Sequence, residues 1–283
     1  VELQSHGTAL QSATNFFAYH ALAISAFFPS RGPLSGGTIV HVNGAGFVAL
    51  GVARCQFESS HVVTLARIST DGSLVCTSPP SSSASARTLE VSVNGQQFSS
   101  SGKLFTYHSL MAVSSVHPPT VTAHVVSSIT VLGTGFLEAA AQEGSLLCAF
   151  NQTMVTAEFV SDTQVNCSTP LLPPGQFALE ITNNGVDFSA NAVHVMVEPM
   201  GISALAPWLG PTTGGTIIDI PGTHLSSFEI FACRFSTLYW MHDVIDDDSF
   251  DVVASIHSFG NVRCASPQHL PTGWLSVELL GEG

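Results

Sequence analysis

Five carboxylates crowd one short stretch, Asp243, Asp246, Asp247, Asp248 and Asp251, and oxygen ligands at that density are what Ca²⁺ takes. The stretch lacks the loop glycine and the bidentate-position glutamate of an EF-hand, so a solvated acidic loop is the simpler expectation and no metal or cofactor is assigned. Tyr239, Trp240 and Met241 beside it offer either a contact patch or a hairpin packed on its own domain. The chain has 12 histidines and 20 acids, yet no HExxH, GxSxG or P-loop spacing occurs. Nucleophile, base and oxyanion donors cannot be assembled from any local stretch, and no enzyme is expected.

The six cysteines carry a different chemistry. Taken alone they allow on the order of 15 pairings. They fall two to a repeat, Cys55 with Cys76, Cys148 with Cys167 and Cys233 with Cys264, so one disulfide inside each repeat is expected. Loops of 21, 19 and 31 positions would each contribute about 3 kcal/mol through the unfolded state. The close CxxC pairs of a zinc knuckle are missing. Disulfides imply an oxidising compartment, here extracellular or cell-surface. In that setting Asn151-Gln152-Thr153 and Asn166-Cys167-Ser168 are sequons for N-linked glycans. The Ser/Thr/Pro-rich turn from Thr77 to Ser85 is a weaker candidate for O-linked sugar.

These residues sit on an internal repeat. With a constant offset of 88, Glu2 falls on Glu90, Gly7 on Gly95, Phe17 on Phe105, Tyr19 on Tyr107 and His20 on His108. Looser copies place Glu180 and Gly185, then Glu278 and Gly283, in the same roles. Each copy is a strand with apolar residues on alternate positions: Leu89, Val91, Val93; Phe177, Leu179, Ile181; Leu275, Val277, Leu279. The recurring glutamates should then point away from the core onto a solvated face, and His20 and His108 read as linker residues.

Over 283 residues, a spacing of roughly 90 gives three domains. Charged residues are only 10% and hydrophobic ones 45%, which suits short strands and turns and opposes disorder. A net charge of −13 with no compensating basic cluster would repel a phosphate backbone, so no nucleic-acid partner is expected. No apolar run reaches the roughly 18 residues of a membrane span, and no membrane insertion is expected in this segment.

The stretch ISAFFPSRGPLSGGTIVHVNGAGF, with Gly36-Gly37-Thr38 before a strand and Gly44-Ala45-Gly46-Phe47 after it, resembles the opening of the IPT/TIG family of immunoglobulin-like domains. Glycines at both turns would allow positive φ. The second repeat keeps Gly133 and Gly135 but has Ser127-Ser128-Ile129 where Gly-Gly-Thr is expected, so its turn should differ; the third restores Gly214-Gly215-Thr216. The resemblance covers essentially the whole chain. It implies an all-β fold class, three tandem immunoglobulin-like (IPT/TIG) antiparallel β-sandwiches at 21–108, 109–199 and 200–283. The third would lack its final strand, and residues 1–20 would be the last two strands of a preceding or neighbouring domain. In the family such domains serve in extracellular portions of receptors and adhesion proteins, or in transcription factors that grip DNA. Charge and cysteines favour the first group.

The expected function is a non-enzymatic extracellular structural protein, a rod-like or filament-forming subunit assembled head to tail and glycosylated. Its partners would be copies of itself or adjacent repeats of the same chain, with Phe16, Phe17, Tyr19, Leu275, Val277 and Leu279 at the joint. The alternative is the ectodomain of a cell-surface receptor or adhesion protein that binds a protein ligand.

Overall fold

The computed structural model describes residues 21–48, 52–57, 63–191, 193–225, 229–237, 249–257, 261–268 and 272–282, together with the strands at 3–5 and 8–11. Two compact units are present, Val1–Leu110 with Asn184–Asp187, and Met111–Asn183 with Phe188–Gly283.

In the first unit β1 (Leu3–Ser5) and β2 (Thr8–Gln11) pair antiparallel. The alternating segments that follow become β3 (Ala23–Phe28), β4 (Arg31–Pro33), β5 (Ile39–Ala45), β6 (Arg54–Phe57), β7 (Val63–Leu65), β8 (Arg67–Ile68), β9 (Leu74–Thr77), β10 (Ala86–Ser92) and β11 (Leu104–His108). They form two sheets, in the orders β3-β5-β9-β8 and β4-β11-β10-β6-β7. Neighbours are antiparallel except β4 and β11, which run parallel. Val40, Val42 and Leu74 of one sheet meet Phe57, Leu89, Val91 and Phe105 of the other. The Phe105 ring stands edge-on to Phe57 and Tyr107, with centroids 5.2 and 5.1 Å apart, the geometry the ring quadrupoles favour. The Tyr107 hydroxyl donates to the Pro79 carbonyl at 2.9 Å, and burial pushes its pKa up to about 12.

The glycines of the family pattern have two distinct causes. Gly46 has φ +81°, which a side chain would strain. Gly44 instead needs to be small: a Cβ there would lie 2.0 Å from the Ala23 carbonyl oxygen on β3 and 2.6 Å from the Phe47 ring. Positive φ was expected at both.

His108 is not a linker residue. It closes β11 and is buried, its Nδ1 is 2.8 Å from the Ser109 carbonyl, and burial holds its pKa below the ordinary value. Within this unit Asn184 donates to the Arg31 carbonyl at 2.9 Å, and the buried Thr38 hydroxyl donates to Asp187 at 2.6 Å.

In the second unit come β12 (Ala112–His117), β13 (Thr120–Thr122), β14 (Ser128–Thr134), the short helix α1 (Glu138–Gln142), β15 (Leu147–Phe150), β16 (Thr153–Ser161), β17 (Gln164–Ser168), β18 (Gly175–Thr182) and β19 (Val193–Glu198). The nine-residue β16 pairs with β15 through its first half and with β17 through its second. One eight-stranded sheet results, in the order β12-β14-β17-β16-β15-β18-β19-β13, wrapped around an apolar core that includes Ile129, Val131, Phe150, Leu179 and Ile181. β13 and β19 are parallel, as β4 and β11 are.

The third repeat contributes β20 (Gly201–Ile202), β21 (Ile217–Ile220), β22 (Gly222–Thr223), β23 (Glu229–Thr237), β24 (Ser249–Val253), β25 (Ser255–Ile256), β26 (Val262–Ala265) and β27 (Leu275–Glu282). They are ordered β20-β22, β21-β26-β25 and β24-β23-β27. Ile218, Ile220, Phe235 and Val262 form its own core. The described residues are all-β apart from α1, built as tandem antiparallel immunoglobulin-like sandwiches.

Hydrogen bonding realigns the second repeat. Thr38 N–H donates to the Ser78 hydroxyl and Thr216 N–H to the Ser266 hydroxyl, while Ser127 N–H donates to the Thr169 hydroxyl. Ser127 therefore matches Thr38, and Val125-Val126-Ser127, not Ser127-Ser128-Ile129, stands where Gly-Gly-Thr does elsewhere. The turn does differ: its left-handed residue is His124, at φ +59°.

Candidate functional site

Disulfides tie the layers together in all three repeats. Cys55 on β6 bonds Cys76 on β9, Cys148 on β15 bonds Cys167 on β17, and Cys233 on β23 bonds Cys264 on β26; none of the six is free. All six are buried, at the centre of each core. They are structural groups and leave no reactive thiol.

A groove opens in the third repeat. In the first, β10 lies between β6 and β11, and in the second, β18 lies between β15 and β19. β27 pairs with β23 on one side, and no described strand lies on its other. The consequence shows in burial: Leu89, Val91, Leu179 and Ile181 are all 0% exposed, whereas Val277 and Leu279 stay partly open to solvent. A cavity of about 330 Å³ runs along this side, floored by Leu205, Ile218, Phe235, Leu275 and Val277 and walled by Leu209–Thr212. Trp208 and Trp274 stand at its rim with rings 9° from parallel and centroids 6.2 Å apart, each about two-thirds exposed at 67% and 69%.

No lining residue titrates. Such a groove cannot supply a general acid, a base or a metal ligand, and among the described residues no group of three or more His, Cys, Asp or Glu side chains could hold a metal ion. Its lining is apolar apart from the hydroxyls of Thr212, Thr216, Ser266 and Thr272.

The other expected sites fall as follows. Leu275 and Val277 line the groove, and Leu279 packs on the third core. Phe16, Phe17 and Tyr19 lie outside the described residues, as do Tyr239, Trp240, Met241, Asp243, Asp246, Asp247 and Asp248. Asp251 is engaged by Arg234 directly across the β23–β24 pair, in a two-pronged contact of 2.8 and 2.9 Å that holds the carboxyl below the usual range. Its charge is already matched.

Asn151 sits exposed in the turn between β15 and β16 at φ +53°, its side-chain oxygen accepting from Ala178 N–H. Asn166 is half-buried in mid-strand on β17, where its amide donates to Glu158 at 3.3 Å and its oxygen accepts from Thr130.

Glu90 departs from the expected solvated face. Its carboxylate accepts from the Ser99 hydroxyl at 2.5 Å and from the backbone N–H groups of Ser101 at 2.9 Å and Gly102 at 2.8 Å. It clamps the loop between β10 and β11. Partial burial raises its pKa, but these hydrogen bonds outweigh that and hold the carboxyl below its ordinary value.

The Trp208–Trp274 pair had no signal in sequence periodicity, because the two residues come from separate turns, APWLGP and PTGW. A tryptophan set among Pro and Gly, off any alternating strand, was the available sign.

No curated protein matches the chain. Among solved structures, it is similar to the Plexin A4 full extracellular region at 15% identity and TM-score 0.44, covering 95% of this chain and 22% of that one. The chain thus spans under a quarter of that protein's length. It is also similar to the I9–I11 tandem of titin, at 7% identity and TM-score 0.33, covering 89% and 90% of the two chains. A third likeness is to Bacteroides ovatus SGBP-B in complex with a mixed-linkage heptasaccharide, at 12% identity and TM-score 0.26, covering 84% and 70%. The family model described as IPT/TIG domain matches residues 22–107 and 111–195, more than half of the sequence, and the chain belongs to the IPT/TIG domain family.

Proposed function

We propose that this chain is a non-enzymatic extracellular stretch of a cell-surface receptor or adhesion protein, presenting tandem sandwiches to a protein ligand. One observation carries the reading: every cysteine is spent on a buried disulfide between layers, an economy that suits oxidising surroundings. The charge of −13 stands against the DNA-gripping use of the family. In this reading the domains run 21–108, 109–199 and 200–283, with residues 1–20 belonging to a neighbouring sandwich. N-linked glycans decorate the second domain.

The test is thiol counting on native material. Denatured but unreduced protein should bind no thiol reagent, and the native chain should be reachable by an impermeant label on intact cells. Free thiols, or protection of the chain inside the cell, would end the proposal.

A second reading is a rod-like or filament-forming subunit, with the tandem repetition of one sandwich type as the observation behind it. Head-to-tail contacts between such repeats generate open filaments when the rotation does not close.

A further inference from the structure

We infer that His108 makes the first unit acid-sensitive: a proton on its buried ring releases the Asn184–Asp187 loop, which the neutral imidazole leaves latched onto Arg31 and Thr38. Packing supplies the first support. His108 ends β11 with only 3% of its surface exposed. Its Nδ1 is 2.8 Å from the Ser109 carbonyl, which can only accept, so Nδ1 carries the proton of the neutral ring. Nε2 is then a bare lone pair, buried and without a hydrogen-bond partner. A second proton must go to Nε2, where the new N–H finds no acceptor and the new charge no water, an arrangement that a folded chain tolerates poorly.

The charged neighbours set the sign. Among the described residues two act on the ring, Arg31 on β4 and Asp187 on the loop. Arg31 is itself buried and repels an imidazolium. Asp187 attracts one, but its Oδ2 already accepts from the Thr38 hydroxyl at 2.6 Å and from the Asn184 amide at 2.7 Å. Burial is the largest influence, and with Arg31 it outweighs the Ser109 carbonyl and Asp187, so the pKa of the ring lies below the ordinary 6.5. The stabilisation that comes with the neutral ring is therefore complete above 6.5 and is lost as pH falls from there through the folded value.

The loop is the part that yields. β4 and β11 are joined by a backbone ladder from Thr106–Arg31 to His108–Pro33, whereas the loop is held by side chains: Asn184 donates to the Arg31 carbonyl at 2.9 Å and Asp187 accepts from Thr38. It also keeps its own shape. Asn184 Oδ1 accepts from the N–H groups of Val186 and Asp187 at 3.0 and 2.8 Å, around Gly185 at φ +78°. The same turn recurs between β10 and β11, where Asn94 Oδ1 accepts from Gln96 and Gln97 N–H around Gly95 at φ +75°, and there Asn94, Gln96 and Gln97 are exposed. Such a turn holds its form in water. Its release opens the cluster of His108, Arg31 and Asp187 to solvent, which then hydrates both cations.

Hydrogen exchange on the full chain tests the latch, followed from about pH 7.5 to about pH 5.5 and corrected for the intrinsic rate, with the turn at 94–97 as internal reference. Protection at 184–187 should fall severalfold over that range, toward the level of 94–97, while 94–97 stays constant. His108→Asn keeps a donor where Nδ1 stands and cannot titrate, so its loop should be equally protected at both ends of the range. Thr38→Val removes one bond of the latch and should loosen the loop already at neutral pH. The wild-type arm needs no variant to fold. Protection of 184–187 that ignores pH, a loss shared equally by 94–97, or an acid response retained in His108→Asn would each overturn the inference. Location and ligand are not read by this exchange, so either function proposed above can stand while the latch fails.

Discussion

Gly44 shows how much one missing methyl can decide. The Ala23 carbonyl approaches so closely that Gly44→Ala must push β3 and β5 apart, and overpacking of that severity costs about 3 kcal/mol. Urea unfolding should show the loss as a lower midpoint with an unchanged slope. Gly133 is in the same position, with a Cβ that would lie 2.2 Å from the Ala112 carbonyl, so Gly133→Ala should behave alike in the second unit. Glu90 acts by charge instead. Its folded pKa lies below the unfolded value of 4.5, so its stabilisation is fully present above that value and is lost as pH falls through the folded one. Glu90→Gln should therefore cost about 1 kcal/mol near neutral pH, kept small by solvent at a half-buried site, and should cost less once acid has protonated the wild-type carboxyl. An equal deficit at both pH extremes would show that the charge plays no part.

At the scale of elements, the repeat made the strands legible and the pairing much less so. Apolar alternation located β10, β18 and β27, and the glycine pattern located β5 and β14, because both features answer to local backbone geometry. The parallel contacts β4–β11 and β13–β19 join residues 75 and 76 positions apart and leave no periodic trace. Nor does the length of β16, which fuses the layers of the second repeat. Ser127 was misplaced because sequence aligns letters, whereas the role that recurs in the three repeats is a backbone N–H bonded to a hydroxyl across the turn. The groove was half legible: Leu275 and Val277 were in hand, but its tryptophans come from turns. Element context also separates the two sequons. Asn151 is at an exposed turn, where its side-chain oxygen accepts from Ala178 N–H, whereas Asn166 lies in a strand beside the Cys148–Cys167 bridge with its amide engaged. Secreted protein should carry a glycan at Asn151 and little at Asn166. Asn151→Gln should remove nearly all of the mass released by an amidase, while Asn166→Gln should leave it almost unchanged; the reverse pattern would refute the assignment.

For the whole molecule the governing quantity is charge, 20 acidic residues against 7 basic ones. Two copies each carrying −13 repel at long range, whatever contact joins them. Raising ionic strength shortens the Debye length from about 30 Å at 0.01 M to about 8 Å at 0.15 M, which removes most of the opposition. Self-association should accordingly strengthen severalfold over that range. A ligand with a basic surface, which the receptor reading admits, must show the opposite slope, since salt would screen an attraction. One salt titration of self-association and one of ligand binding therefore separate the two readings by sign. Self-association that weakens with salt would mean that unlike charges hold the copies together against that repulsion.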